Sequence, residues 1–295
     1  MKKFLFIFVL ERGMLEEEHE NEATFYRRLR QSYIDRRRKT MIVQEREHDF
    51  ILIKQHDHAQ LSGRMVREWK QHFLLRSKLR EEADWAAAQH DRAWIPLDEN
   101  PGWNEEEQKP YSFIDYPLKE KLAAYQRGIT EVAEQSLYAG MLCSMHYQSF
   151  MSEDSEEPLM RQFVQEEKER QERLFALMEM DIPKDIYDLH FKRLQFSDDL
   201  SLYVCMNQPG ISKEEEVAWF RDGFRQHFDF APNGMIADWV DDKQVSVDPF
   251  PFENPFDARI PYKLVTKEAI KQHGFTKAYE QAETDQRLVT FIAKD

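Results

Sequence analysis

Residues 83–94 read ADWAAAQHDRAW, and the fold turns on how that stretch is placed. Ala83, Ala86, Ala87 and His90 recur at three- and four-residue spacing, so they share one stripe of a helix. An imidazole on an alanine stripe is costly unless something pairs with it. The same pattern recurs along the chain. In QHDHAQLSGRMVREW (55–69), His58 leads a stripe of Leu61, Met65 and Trp69. In YAGMLCSMHYQSF (138–150), His146 lies on a stripe with Tyr138, Leu142 and Ser149. In RLQFSDDLSLYVC (193–205), Asp198 shares a face with Leu194, Leu202 and Cys205, and with Phe191 just before. Histidines and carboxylates on apolar helix faces suit a divalent metal such as Mn, Zn or Fe.

Each residue has a plainer reading beside that one. Asp198 can cap or salt-bridge a neighbouring helix. His90 can bond a backbone carbonyl while Asp91 meets solvent, and His146 can be a satisfied core histidine. His56 and His58 flank Asp57 where strand becomes helix; one can be a ligand while the other holds the ligand shell. Asp199 falls about 100° round the helix from Asp198 and reads as solvated. Trp85, Trp94 and Trp103 read as core or loop anchors.

Composition narrows the function classes. The 295-residue chain carries a net charge of −14, which argues against a broad nucleic-acid footprint. It leaves room for a small phosphorylated substrate, because a metal supplies local positive charge. Cys143 and Cys205 stand in apolar helical contexts, too few and too far apart for a zinc ribbon. They read as buried free thiols, hence a reducing, cytoplasmic setting. There is no P-loop, no Gly-x-Ser-x-Gly elbow and no His-Glu-x-x-His helix. The opening MKKFLFIFVL resembles the start of a signal peptide, but Glu11 and Arg12 follow without a small-residue cleavage site. It is too short to span a bilayer. Residues 1–40 therefore read as a non-core extension, with Met41 a second start.

MIVQEREHDFILIKQ (41–55) predicts two short strands, over 41–43 and 50–53. Helices follow from His58, over the alanine stripe, over LKEKLAAYQRGITEVAEQ, over LYAGMLCSMHYQSFM, over 158–179 and over DIYDLHFKRLQFSDDLSLYVCM. The 158–179 helix is charge-laced, with a seam of Phe163, Val164, Leu174 and Leu177. Residues 95–117 hold four prolines and read as a structured loop. Residues 217–295 read as a β-rich part. The expected fold is mainly α: one helical domain over 41–295, with a small β element joining strands 41–53 to about 240–295.

The order His58, His90-Asp91, His146, Asp198 resembles the HD superfamily of metal-dependent phosphohydrolases. AAAQHDRAW is similar to that family's His-Asp segment, and LQFSDDLS to its closing Asp helix. The resemblance implies His58, His90, Asp91 and Asp198 as metal ligands, with His146 an additional one. Ala93 departs from the family's usual glycine, and the loop after it is long. A wider resemblance, to the bacterial domain-of-unknown-function family 3891, runs from Met41 onward. MIVQEREHDFILIKQHDHAQLSG, AAAQHDRAW, PYSFIDYPL, YAGMLCSMHYQSF, LQFSDDLSLYVC and DPFPF carry it in order.

The leading expectation is a phosphohydrolase acting on a small phosphate ester or nucleotide. Asp91 or His146 would orient the attacking water, and Lys54, Arg64 and Arg92 would meet phosphate charge. A di-iron oxygenase is the second expectation, requiring His146 and His56. A non-catalytic sensor or scaffold is the third. No membrane partner is expected.

Overall fold

The run DFILI (49–53) shows how the molecule is layered. In a strand, successive side chains face opposite ways. Ile51 and Ile53 enter one core, while Phe50 and Leu52 enter another. A strand covered on both faces reads as a continuous apolar run. The computed structural model describes residues 41–294. The extension expected over 1–40 lies outside the described residues.

Strand β1 (Ile42–Glu45) pairs antiparallel with β2 (Asp49–Ile53), Ile42 opposite Ile53. The helical part follows. It comprises α1 (Gln55–Arg67), α2 (Arg80–Gln89), a single turn α3 (Ile95–Asp98), α4 (Leu118–Ala133), α5 (Leu137–Gln148), α6 (Pro158–Leu177) and α7 (Lys184–Met206). Between α3 and α4, the proline-rich stretch holds a minimal hairpin of β3 (Trp103–Asn104) and β4 (Lys109–Pro110). The chain then forms β5 (Ile236–Trp239), β6 (Gln244–Asp248) and β7 (Phe256–Thr266). Two short helices, α8 (Lys267–His273) and α9 (Phe275–Gln281), lead to the final strand β8 (Thr284–Ala293). The main sheet has the order β1-β2-β7-β8-β6-β5, and only β6 and β8 run parallel. Among the described residues, no helix is long and apolar enough to cross a membrane.

Helix α7 joins two cores. Its Ile186 and Leu194 pack in a helical core with Trp94, Ile129 and Leu142. Its Leu200, Tyr203 and Cys205 pack against the sheet through Val245, Val289 and Phe291. Asp198 stands on α7 between these two sets. The helices around it approach closely. A Cβ on Gly63 of α1 would lie 2.4 Å from the Ala88 Cβ of α2, and one on Gly128 of α4 would lie 2.6 Å from the Ala93 backbone. Cys143 and Cys205 are buried free thiols.

The expectation of a mainly α fold with a small β element is overturned. A curled sheet of six strands makes this a mixed α and β fold. The β-rich reading of 217–295 also missed α8 and α9, which cover Phe50, Leu52 and Val265 on one face of the sheet. Prolines hid the longest strand. Pro261 lies in β7 opposite Gln286 of β8, beyond the end of the β2 pairing at Lys263. A proline is tolerated where the strand has lost one neighbour. Leu177, expected in the α6 seam, is 64% exposed.

Candidate metal centre

Five elements bring the chemistry together. His58 comes from α1, His90 ends α2, Asp91 opens the following 3₁₀ turn, His146 is on α5 and Asp198 on α7. All five are buried. The ligand atoms of His58, His90 and Asp91 lie within 4.8 Å of one another, and so do those of His90, His146 and Asp198. The plainer readings of these residues also hold in part. His90 does bond a backbone carbonyl, but Asp91 is buried rather than solvated.

The hydrogen-bond network turns one nitrogen of each of two rings onto a carboxylate. Nδ1 of His90 donates to the Ala87 carbonyl at 2.8 Å. Its Nε2 has no hydrogen bond, yet stands 3.2 Å from Asp198 Oδ1 and 3.9 Å from Asp91 Oδ2. The Ser201 hydroxyl donates to the Asp198 carbonyl at 2.8 Å, so it accepts from His58 Nδ1 at 2.7 Å. That leaves His58 Nε2 facing Asp91 Oδ2 at 2.7 Å. Both rings thus have their Nδ1 held by a fixed partner, the arrangement that orients a histidine ligand. An unprotonated nitrogen against a carboxylate oxygen is repulsive, and either a proton or a cation relieves it. Two imidazole nitrogens and two carboxylates are a fitting donor set for a divalent transition metal.

The electrostatics carry the same signature. Burial lowers the pKa of His90, but Asp198 and Asp91 raise it more, to about 9. Asp198 resists burial and is held well below the usual carboxylate range by His90, His146 and His58. Burial drives His146 down to about 3, so it is neutral. Its Nε2 lies 3.6 Å from Asp198 Oδ2, and its Nδ1 has no hydrogen-bond partner. The Tyr147 hydroxyl donates to Asp91 Oδ1 at 3.3 Å, leaving Oδ2 for the centre.

The cluster floors a cavity of about 560 Å³. His58, Asp91, His146 and Asp198 reach its lining, whereas His90 stands behind them. The expected phosphate-binding residues stand elsewhere. Lys54 precedes α1, off the lining. Arg64 lies over the Phe256 ring at a second, shallower groove. Arg92 Nε donates to Glu131 at 2.9 Å. His56 is outside both ligand groups and meets Gln60 at 3.2 Å. Asp199, expected in solvent, lines the cavity, where burial and the neighbouring Asp198 raise it to about 6. Sequence reasoning also passed over Gln55, Lys121, Trp219 and Arg225 on that lining. Gln55 precedes His58 by three residues, so helical spacing could have flagged it.

The profile of the family described as protein of unknown function (DUF3891) matches residues 41–267. The chain belongs to the DUF3891 family. Neither a curated protein nor a solved structure matches it. In this DUF3891 member the matched segment supplies every residue of the His/Asp cluster, while β8 lies beyond it.

Proposed function

We propose that the chain is a divalent-metal-dependent hydrolase acting on small phosphate esters. The observation that carries this is the pair of oriented histidines, His58 and His90, whose Nε2 atoms meet Asp91 and Asp198 at the floor of a cavity. The HD-like order of these residues supports the phosphoester class. His58, His90, Asp91 and Asp198 would hold the ion. A bound divalent ion lowers the pKa of water and polarises a phosphoryl oxygen.

The chain's own residues supply the rest. His146 is on the cavity wall with an unpartnered ring nitrogen, and burial keeps the ring neutral, so it can orient the attacking water through that nitrogen. Tyr147 and Ser201 fix the carboxylate and the imidazole that they touch. The di-iron reading has less support. His56 stands apart from the cluster, and both ligand groups share the single free nitrogen of His90.

Elemental analysis of untagged protein tests the reading, paired with manganese-supported hydrolysis of para-nitrophenyl phosphate. We expect about one equivalent of divalent metal per chain, lost together with activity in His90→Ala/Asp91→Ala. Two irons per chain would favour the oxygenase. No metal, and no thermal shift on adding any, would leave the cluster a structural network.

A further inference from the structure

The cavity above the His/Asp cluster has a character that the cluster does not explain. Its walls are apolar: Phe113, Ile114, Phe150, Met151, Trp219 and Phe224 come from three separate stretches of the chain. Three of these are unusually open for their type, Trp219 at 56%, Ile114 at 53% and Phe150 at 47% exposure. Exposed apolar groups gathered around one opening mark a binding surface.

Charge on the lining runs against a polyanion. Asp91, Asp198, Asp199 and Asp222 face two cations, Lys121 and Arg225. Both cations are already engaged. Lys121 Nζ donates to the Phe113 carbonyl at 2.8 Å and to that of Ile114 at 3.2 Å. Arg225 Nε sits 3.3 Å from Asp199. On the described lining a chain of phosphates would meet four carboxylates against two cations that already have partners.

Among the described residues, two side chains on the lining carry unpartnered polar atoms: His146 at Nδ1, and Gln55 over its whole carboxamide. Gln55 is 1% exposed, and neither its carboxamide oxygen nor its nitrogen makes a hydrogen bond. A buried amide left unsatisfied costs stability, so a ligand head or water that fills the cavity beside it gains by supplying its partners. The carboxamide offers one acceptor and two N–H donors. It stands three residues from His58, at the polar end of the chamber.

We infer that the cavity takes a single-headed ligand with an aryl or alkyl body, and that Gln55 reads the polar atoms beside its head. This rests on the hydrolase reading for the head group alone. The body would lie against Trp219, Phe150 and Ile114, and the substrate class would be apolar phosphate monoesters rather than nucleoside polyphosphates.

Calorimetric titration of the metal-loaded full chain tests it with phenylphosphonate, methylphosphonate and adenosine triphosphate. We expect phenylphosphonate to bind at least tenfold tighter than methylphosphonate, with the triphosphate weakest. Trp219→Ala should cut the phenyl-over-methyl ratio severalfold while metal content stays unchanged. Gln55→Leu should lose about tenfold in phenylphosphonate affinity. Gln55→Glu, of the same size, should lose more by adding a fifth carboxylate. Equal affinity for the two phosphonates, or tightest binding of the triphosphate, would overturn the inference. A head-free probe, 2-phenylethanol, separates this inference from the metal reading. If no metal binds and 2-phenylethanol still binds in a Gln55-dependent way, the cavity assignment stands and only the hydrolase reading falls. If neither 2-phenylethanol nor phenylphosphonate binds, the cavity assignment falls as well.

Discussion

His146 and His190 are both buried histidines with lowered pKa, yet they belong to different jobs. His146 lines the cavity and has a free ring nitrogen. Its loss in His146→Ala should lower the rate of phosphoester hydrolysis about 10²-fold, the cost of a misplaced reacting group. Metal content should stay at wild-type level; if the metal leaves too, His146 is a ligand. His190 is structural. Its Nδ1 accepts from the Tyr138 hydroxyl at 2.7 Å, and burial with Arg193 and Arg80 nearby lowers it to about 4. A folded pKa below the ordinary 6.5 means that the neutral ring stabilises the fold. That contribution is complete above pH 6.5 and drains away as pH falls towards 4. It amounts to about 3 kcal/mol at most. Urea unfolding at pH 7, 5.5 and 4 should show this loss in the wild type and less of it in His190→Gln. Parallel curves for the two proteins would count against it.

The helices set the spacing of the cluster. His58 and His90 can meet because α1 and α2 touch through Gly63 and Ala88. Gly63→Ala places its methyl against the Ala88 backbone as well as its side chain. Overpacking of this kind costs about 1–3 kcal/mol. It should also separate the two histidines and weaken metal binding. Chemical denaturation and metal titration would read the two effects, and unchanged stability would show that the contact is slack. Spacing along each helix was legible beforehand. The stripes of His58, Leu61, Met65 and Trp69, and of Ala83, Ala86, Ala87 and His90, are buried as periodicity requires. Gln55 and Asp199 were not legible in that way. A glutamine at a helix start is ordinary, and an aspartate one step round from Asp198 looks solvated until Arg225 and Gln226 close over it.

At the scale of the molecule, β8 ties the sheet together. It pairs with β7 on one side and β6 on the other, joining the β1-β2-β7 half of the sheet to the β6-β5 half. Truncation after residue 267, where the family match ends, should therefore abolish cooperative thermal unfolding. It should also strip metal from the protein, because the sheet backs the half of α7 that follows Asp198. A sharp melting transition and retained metal in that truncation would refute the argument. The sequence by itself determined the six longer helices α1, α2 and α4 to α7, the two buried thiols and the five His and Asp residues of the cluster. These follow from local period and from the rarity of charge on apolar stripes. Only the tertiary structure decided that the strands make one six-stranded sheet. Strand pairing is non-local, and β7 carries prolines and a mixed pattern that mask its period. Only the tertiary structure, too, set the apolar cavity and its unpaired Gln55 above the cluster. Its walls come from segments far apart in the chain, and no local rule brings them together.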